Sequence, residues 1–383
     1  MDCMKSDREL AYALKLQHRG PQVFLRGLIE ISNRCRKNCL YCGIRAGNGQ
    51  VCRYEMTDEQ VLQEAQFALD AGYGSVAIQG GERSDREFTG RITRLVWQIR
   101  HLQKGGDPLK VMQMVPGEES AVFPPQNNLG ITLSLGEQPR EVYDEWYKAG
   151  ATRYLLRIEA SNRELYEKIH PGFALTGSNA KEAANHSYER RVQALHDLKA
   201  AGYLLGSGVM IGLPFQTRDH LEEDLQFLKN LGVDMVGMGP YIPHEDTPLG
   251  KIVAHWKTGA PLPDELVPLA AQPRGDFWNL SNEELLQLSV DMVAKLRILL
   301  PDINIAATTA LQVLDPMGRE LAILHGANVI MPNMTETSLR GNYSLYQGKQ
   351  GVEDDAASTR DKLVENLSGL GITIGWDERG DRR

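Results

Sequence analysis

Cysteine is scarce: there are five in 383 residues, too few for a disulfide framework in so long a chain. No apolar run reaches the roughly 18 residues that a membrane-spanning helix needs. The net charge of −8 comes without a basic block, which excludes a dedicated nucleic-acid binder. Nine histidines form no H-E-x-x-H or H-x3-H pair, so the common zinc-enzyme motifs are absent. The opening stretch MDCMKSDREL has no apolar signal core and reads as a short charged helix. Together these absences lead to the expectation of a cytoplasmic protein with no membrane and no nucleic-acid partner.

What the chain does have is one repeated pattern. A short β-branched or apolar run is followed by a turn and an amphipathic helical stretch. The runs are GLIEIS (27–32), SVAIQ (75–79), ITLSL (131–135), RYLLRIE (153–159), LGSGVMIGL (205–213), DMVGMG (234–239), INIAA (303–307) and NVIMP (328–332). Between the first two lies TDEQVLQEAQFALDAG (57–72). There Thr57 and Gln60 form a capping-box pattern and Gly72 is a suitable stop. Strand-like runs alternating with helices predict parallel strands joined by crossover helices. Eight such units fit an α/β fold of the (β/α)8 TIM-barrel type better than an open doubly wound sheet. The expected organisation is an N-terminal helix over 1–19, a barrel over 20–370 and a C-terminal tail over 371–383. The Gly- and Pro-rich stretches near 105–128 and 251–276 are expected to be insertions in surface connections, acting as lids.

Three of the five cysteines, Cys35, Cys39 and Cys42, fall within NRCRKNCLYCG (33–43). In a reducing compartment such a triad is a metal or redox site more often than a bridge. An iron–sulfur cubane normally takes four thiolates; three leave one iron open, as in a reactive site. Zinc completed by Cys52, or three unconnected thiols, is the plainer alternative. In a barrel the active site lies at the strand C-termini, and polar residues congregate there. Gln79, Gly80, Gly81 and Glu82 follow the second run, Ser134 and Glu137 the third. Arg157 and Glu159 end the fourth, Thr308 and Thr309 follow the seventh, and Asn333 the eighth.

C-x3-C-x2-C with an aromatic before the last cysteine resembles the signature of radical S-adenosylmethionine (SAM) enzymes, and Gly80-Gly81-Glu82 resembles that superfamily's SAM-amine motif. More narrowly, RGLIEISNRCRKNCLYCGIR, ITLSLGEQPRE, RYLLRIE, DMVGMGPYIPHEDTPL, RILLPDINIAATTA and GANVIMPN are similar to segments of the HydE-type maturases of [FeFe]-hydrogenase. The resemblance implies one [4Fe–4S] cluster on Cys35, Cys39 and Cys42, its fourth iron chelated by the SAM amine and carboxylate. It places Gly80, Gly81 and Glu82 at the amine, Arg191 at the carboxylate and Glu159 at the ribose. Tyr41 would lie near the adenine, with Ser134 and Met238 beside the cofactor. It implies a 5′-deoxyadenosyl radical acting on an anionic, cysteine-bearing iron complex with CO and cyanide. That complex would be bound by Arg26, Arg157, Thr308, Thr309 and Tyr343, with Arg157, Tyr343 and Tyr346 as catalytic candidates. Expected partners are HydF- and HydG-type maturation proteins and a reductant such as a ferredoxin or flavodoxin.

Plainer readings stand beside these. Arg157 is able to pair with Glu159 as scaffold. Thr308 and Thr309 are able to cap the next helix, and Tyr343 and Tyr346 to pack on one helix face. Members of the family often have histidine where this chain has Ile158, which removes a titratable donor and bears on substrate identity. The stretch QGKQGVEDDAASTRDK lacks the cysteines of a second cluster. One alternative is a radical SAM mutase on a small amino acid, of the methylornithine synthase type. Another is a non-catalytic metal-binding barrel.

Overall fold

The computed structural model describes residues 2–114, 127–171 and 186–381. Among them nine parallel strands appear: β1 (Phe24–Ser32), β2 (Ser75–Gly80), β3 (Gly130–Ser134), β4 (Arg153–Leu155), β5 (Leu204–Ser207), β6 (Met210–Ile211), β7 (Met235–Pro240), β8 (Asn304–Ala307) and β9 (Val329–Ile330). Their order is β5-β4-β3-β2-β1-β9-β8-β7-β6, and a further β5–β7 pairing closes the ring. The fifth run, LGSGVMIGL, supplies both β5 and β6 as one stave interrupted at Gly208. A Cβ at Gly208 would sit 2.0 Å from the Gly237 carbonyl oxygen, so only glycine lets this stave pass β7. The result is the expected closed barrel of eight parallel staves.

Period-two alternation sorts each stave into an inner and an outer face. On β1, Arg26, Leu28 and Glu30 line interior cavities. Leu25, Ile29 and Ile31 pack outward in the main hydrophobic core. The helix Asp58–Asp70 begins with the expected capping box of Thr57 and Gln60. The N-terminal helix Asp2–Arg19 lies on helix Asn282–Leu299, where Arg8 meets Asp291 at 2.6 Å.

One segment differs from the expected lid. Residues 251–276 are not an open connection: helices Pro248–Thr258 and Val267–Ala270 are folded. Their Ile252, Val253 and Leu269 pack with Leu40, Leu213 and Phe215 in a second core. No residue of 251–276 lines the main cavity. The C-terminal tail is tied to the barrel. Val23 bridges Ile374, the Asp377 N–H donates to the Gly72 carbonyl at 2.7 Å, and Asp381 pairs with Arg153. Of the stretch 105–128, residues 115–126 lie outside the described residues; before them runs a short helix, Pro108–Met112. No helix among the described residues is long and apolar enough to cross a membrane.

Candidate active site

A cavity of about 350 Å³ opens at the C-terminal ends of the strands, within the range typical of small-molecule sites. Cys35, Cys39 and Cys42 line it, on the loop after β1. That loop is clamped on both sides. The Leu40 N–H donates to the Ile169 carbonyl at 3.0 Å, and the Leu40 carbonyl accepts from the Leu249 N–H at 3.1 Å. Arg53 braces it from beneath, donating to the carbonyls of Asn33, Ile44 and Arg45 at 2.6–2.7 Å. Cys35 Sγ accepts backbone N–H groups of Glu82 (3.3 Å) and Lys37 (3.4 Å). Burial pushes all three thiols up, Cys39 to about 12, so the free thiols resist ionisation and a bound cation is what makes them thiolates. Among the described residues no three His, Cys, Asp or Glu side chains converge closely enough for a single metal ion. Cys52 is exposed and lies off the cavity, which speaks against zinc completed by Cys52.

The turn after β2 carries Gly80, Gly81 and Glu82, all at the cavity wall. A Cβ on Gly81 would lie 2.4 Å from the Arg34 carbonyl oxygen, so the turn and the cysteine loop touch backbone to backbone. The Glu82 carboxylate knits three loops together. One oxygen meets Arg36 at 2.8 Å and the other accepts the Glu137 N–H at 2.8 Å. Behind it Glu137 accepts from Lys37 (2.9 Å) and Arg191 (2.5 Å). Burial alone would raise the Glu137 carboxyl, but Arg191 and Lys37 outweigh it and hold the group down to about 2. Arg191 also donates to the Arg157 carbonyl at 2.5 Å.

Glu159 ends the fourth run in an unusual way. Its φ is +66°, rare for a residue with a side chain. The strain is held by two backbone bonds of 3.0 Å, Glu159 N–H to Gly208 and Met210 N–H to Glu159. Such an outlier in a cavity wall points to function. Burial pushes its carboxyl up, and Arg157 faces it at 3.0 Å. The scaffold pairing of Arg157 with Glu159 is thus present, and Arg157 lines the cavity as well. Tyr41 lies edge-on to the buried His170 ring, 5.5 Å away. His170 Nδ1 lies 2.8 Å from the Tyr166 carbonyl oxygen. A carbonyl only accepts, so Nδ1 carries the proton and Nε2 faces the Tyr41 hydroxyl.

Ser134, Thr308, Thr309, Tyr343 and Tyr346 complete the predicted set at the wall. Thr309 and Tyr346 share a hydrogen bond of 2.9 Å. Neither threonine caps the following helix, whose N-cap is Ala310. Thr308 Oγ1 and Arg157 Nε are buried without a hydrogen-bond partner, as expected of groups kept for a ligand, whereas Glu159 Oε2 is held by Arg157 alone.

Two predicted site residues are elsewhere. Met238 packs outward in the hydrophobic core, because β7 alternates and it is Met235, Gly237 and Gly239 that face the cavity. Arg26 lies near the opposite end of β1, lining a small second cavity with Arg153 and Asp381 and donating to Met235 Sδ at 2.7 Å. Ile158 is buried in the core behind the rim and does not line the cavity. Glu30, Lys37 and Lys349 line the cavity too and escaped the sequence reading. A glutamate inside the otherwise apolar GLIEIS run was the available signal for the first.

A parallel barrel with three cysteines, a glycine–glycine–glutamate turn and a strained glutamate on one cavity is an enzyme fold built around a cluster and a bound cofactor. Residues 29–228 match the family model of the radical SAM superfamily. The HydE subunit of the [FeFe] hydrogenase maturase from Thermotoga maritima is 37% identical over 98% of this chain and 88% of its own length. Two solved structures share the fold. They are methylornithine synthase (TM-score 0.68, 20% identity, covering 98% of this chain and 90% of that one) and the [FeFe]-hydrogenase maturase HydG (TM-score 0.65, 18% identity, 97% and 68%). The chain belongs to the radical SAM superfamily and, within it, to the HydE family. Its cofactors are accordingly a [4Fe–4S] cluster and SAM, and the thiols, the glycine cradle and the buried Glu159 carboxylate at the cavity wall suit them.

Proposed function

We propose that this enzyme acts in [FeFe]-hydrogenase maturation on an anionic iron complex carrying cysteine, CO and cyanide, in the cytoplasm. One observation carries the reading: the cysteine triad and a second set of free donors share a single cavity. Cys35, Cys39 and Cys42 would hold three irons, leaving the fourth for the amino and carboxylate groups of SAM. When bound and reduced, the pair supplies a 5′-deoxyadenosyl radical. The protein's own residues do the rest. Gly81 gives the backbone room to meet the amine, and Glu82 keeps that turn against the cysteine loop. Arg191, fixed by Glu137, presents a guanidinium for a carboxylate. Glu159 accepts from ribose hydroxyls. Arg157 and Thr308, which line the cavity and each keep one donor without a hydrogen-bond partner, suit an anion. Tyr343 and Tyr346 cover it and exclude water. A ferredoxin- or flavodoxin-type protein would deliver the electron, and HydF- and HydG-type proteins would receive and supply the complex.

Anaerobic reconstitution tests this directly. The wild type should hold about four irons per chain and form 5′-deoxyadenosine, faster when a synthetic iron–cysteine dicarbonyl cyanide complex is added. Cys39→Ala should lose both iron and cleavage. Cleavage that ignores the complex but responds to a free amino acid would overturn the substrate assignment in favour of a mutase.

A further inference from the structure

Residues 341–351 follow the last barrel strand as a polar loop. Its ends are drawn together by the buried Arg340, which donates to the Thr335 carbonyl on one side and to the Gly351 carbonyl (2.9 Å) on the other. Such a closed, self-packed loop is often functional. It carries Tyr343 and Tyr346 over the cavity. Asn33 donates to the Asn342 carbonyl at 2.7 Å, and the Gly43 N–H, next to Cys42, donates to the Leu345 carbonyl at 2.9 Å.

One further anchor is an ion pair inside the cavity. Lys349 Nζ lies 2.5 Å from Glu30 Oε1, 3.1 Å from the Tyr343 carbonyl oxygen and 5.2 Å from the centroid of the Tyr343 ring. The other Glu30 oxygen accepts from Asn333 at 2.9 Å, and Gln79 donates to the Tyr343 hydroxyl at 3.3 Å. Glu30 is 1% exposed on an inward position of β1. A buried ion pair is seldom the most stable filling for such a place, since apolar residues of similar size do as well or better. Its use is therefore geometric: it sets where the loop and the Tyr343 ring sit.

We propose that Lys349 is a positioning residue, pinning the 341–351 loop onto β1 through Glu30 and so holding the Tyr343 phenol over the cavity. That Tyr343 then serves the substrate rests on the function proposed above; the pin does not. The test uses the full-length, cluster-loaded protein with 3-fluorotyrosine at position 343, and no substrate. The wild type should give one narrow fluorine resonance. Lys349→Met should broaden or split it and raise amide exchange across 342–348 by about tenfold. Glu30→Gln should do the same, and the double variant no more than either. Lys349→Arg should restore the narrow line. An unchanged resonance and unchanged exchange in Lys349→Met would overturn the proposal. So would equal broadening in Lys349→Arg with a matching fall in melting temperature, which would mean general destabilisation instead of a pin.

Discussion

Asp224 shows how single residues outside the cavity prepare it. One of its carboxylate oxygens accepts both the N–H and the hydroxyl of Ser161, at 2.7 and 2.6 Å, and Ser161 follows the strained Glu159 by two positions. Burial nevertheless pushes the Asp224 carboxyl up to about 7. A raised carboxyl favours the folded state fully below its unfolded pKa of about 3.9. That contribution is lost as pH rises through the folded value. Across pH 4 to 7 this group should therefore cost the wild type up to about 1.4 kcal/mol per pH unit. Asp224→Asn keeps the oxygen that Ser161 needs. Its stability in denaturant titrations should gain on the wild type steadily from pH 4 to 7 and stay level above that. A constant difference would refute the assignment. Little of this was legible in the sequence. Asp224 stands in TRDHLEEDLQFLKNLG among other acids on a helix, and only the packing of that helix under Ser161 sets it apart. By contrast the cysteines, Gly81, Glu82 and Arg157 were legible, because spacing and position after a strand already specify them. The Met238 side chain faces the core because strand phase, not strand membership, decides which side chain faces inward, which leaves only the backbone of this stretch to meet the cofactor.

At the scale of elements, the loop after β1 owes its shape to what lies on either side of it. Leu40, between two of the cysteines, is 1% exposed and inserts into the second core, to which Leu249, Ile252, Val253, Leu266 and Leu269 contribute. The proline-rich segment, expected as a lid, thus works as a backing layer. Four prolines in twenty-six residues look like a loop in one dimension, but Leu266 and Leu269 find apolar partners only in three. Leu40→Ala should cost about 2–5 kcal/mol for the cavity it leaves. It should also speed iron loss to a chelator, whereas the equally apolar Leu225 on the outer layer should affect stability alone when cut to alanine. Equal iron loss in both would separate the loop from its backing.

The whole molecule closes at both ends of the barrel by different means. At the cofactor end a polar loop does it; at the other end the tail does. Asn304 Nδ2 donates to the Gly380 carbonyl at 2.7 Å, and Arg379 Nε to the Asn128 carbonyl at 2.5 Å. Asp381 supplies the carboxylate facing Arg153, with Arg26 nearby in the same small cavity. Burial, reinforced by Arg153, pushes the Arg26 pKa down, so the Asp381 charge relieves two cations at once. Asp381→Asn should lower stability by about 3 kcal/mol, the scale for leaving a buried charge uncompensated, with iron content unchanged. A neutral effect would show that the tail is only draped there.

The sequence by itself determined the class of fold and the chemistry of the first cofactor. Both are local: eight hydrophobic periods set the staves, and three thiols at this spacing followed by a glycine–glycine–glutamate turn carry the resemblance to the radical SAM signature within short stretches of chain. Tertiary structure alone decided which polar residues meet. Closure of the ring brought Glu30 to Lys349, Glu137 to Arg191 and Asp381 to Arg153 across 319, 54 and 228 positions of chain. Charges that far apart in sequence carry no mutual signal until a barrel places them a hydrogen bond apart in a medium that screens them weakly.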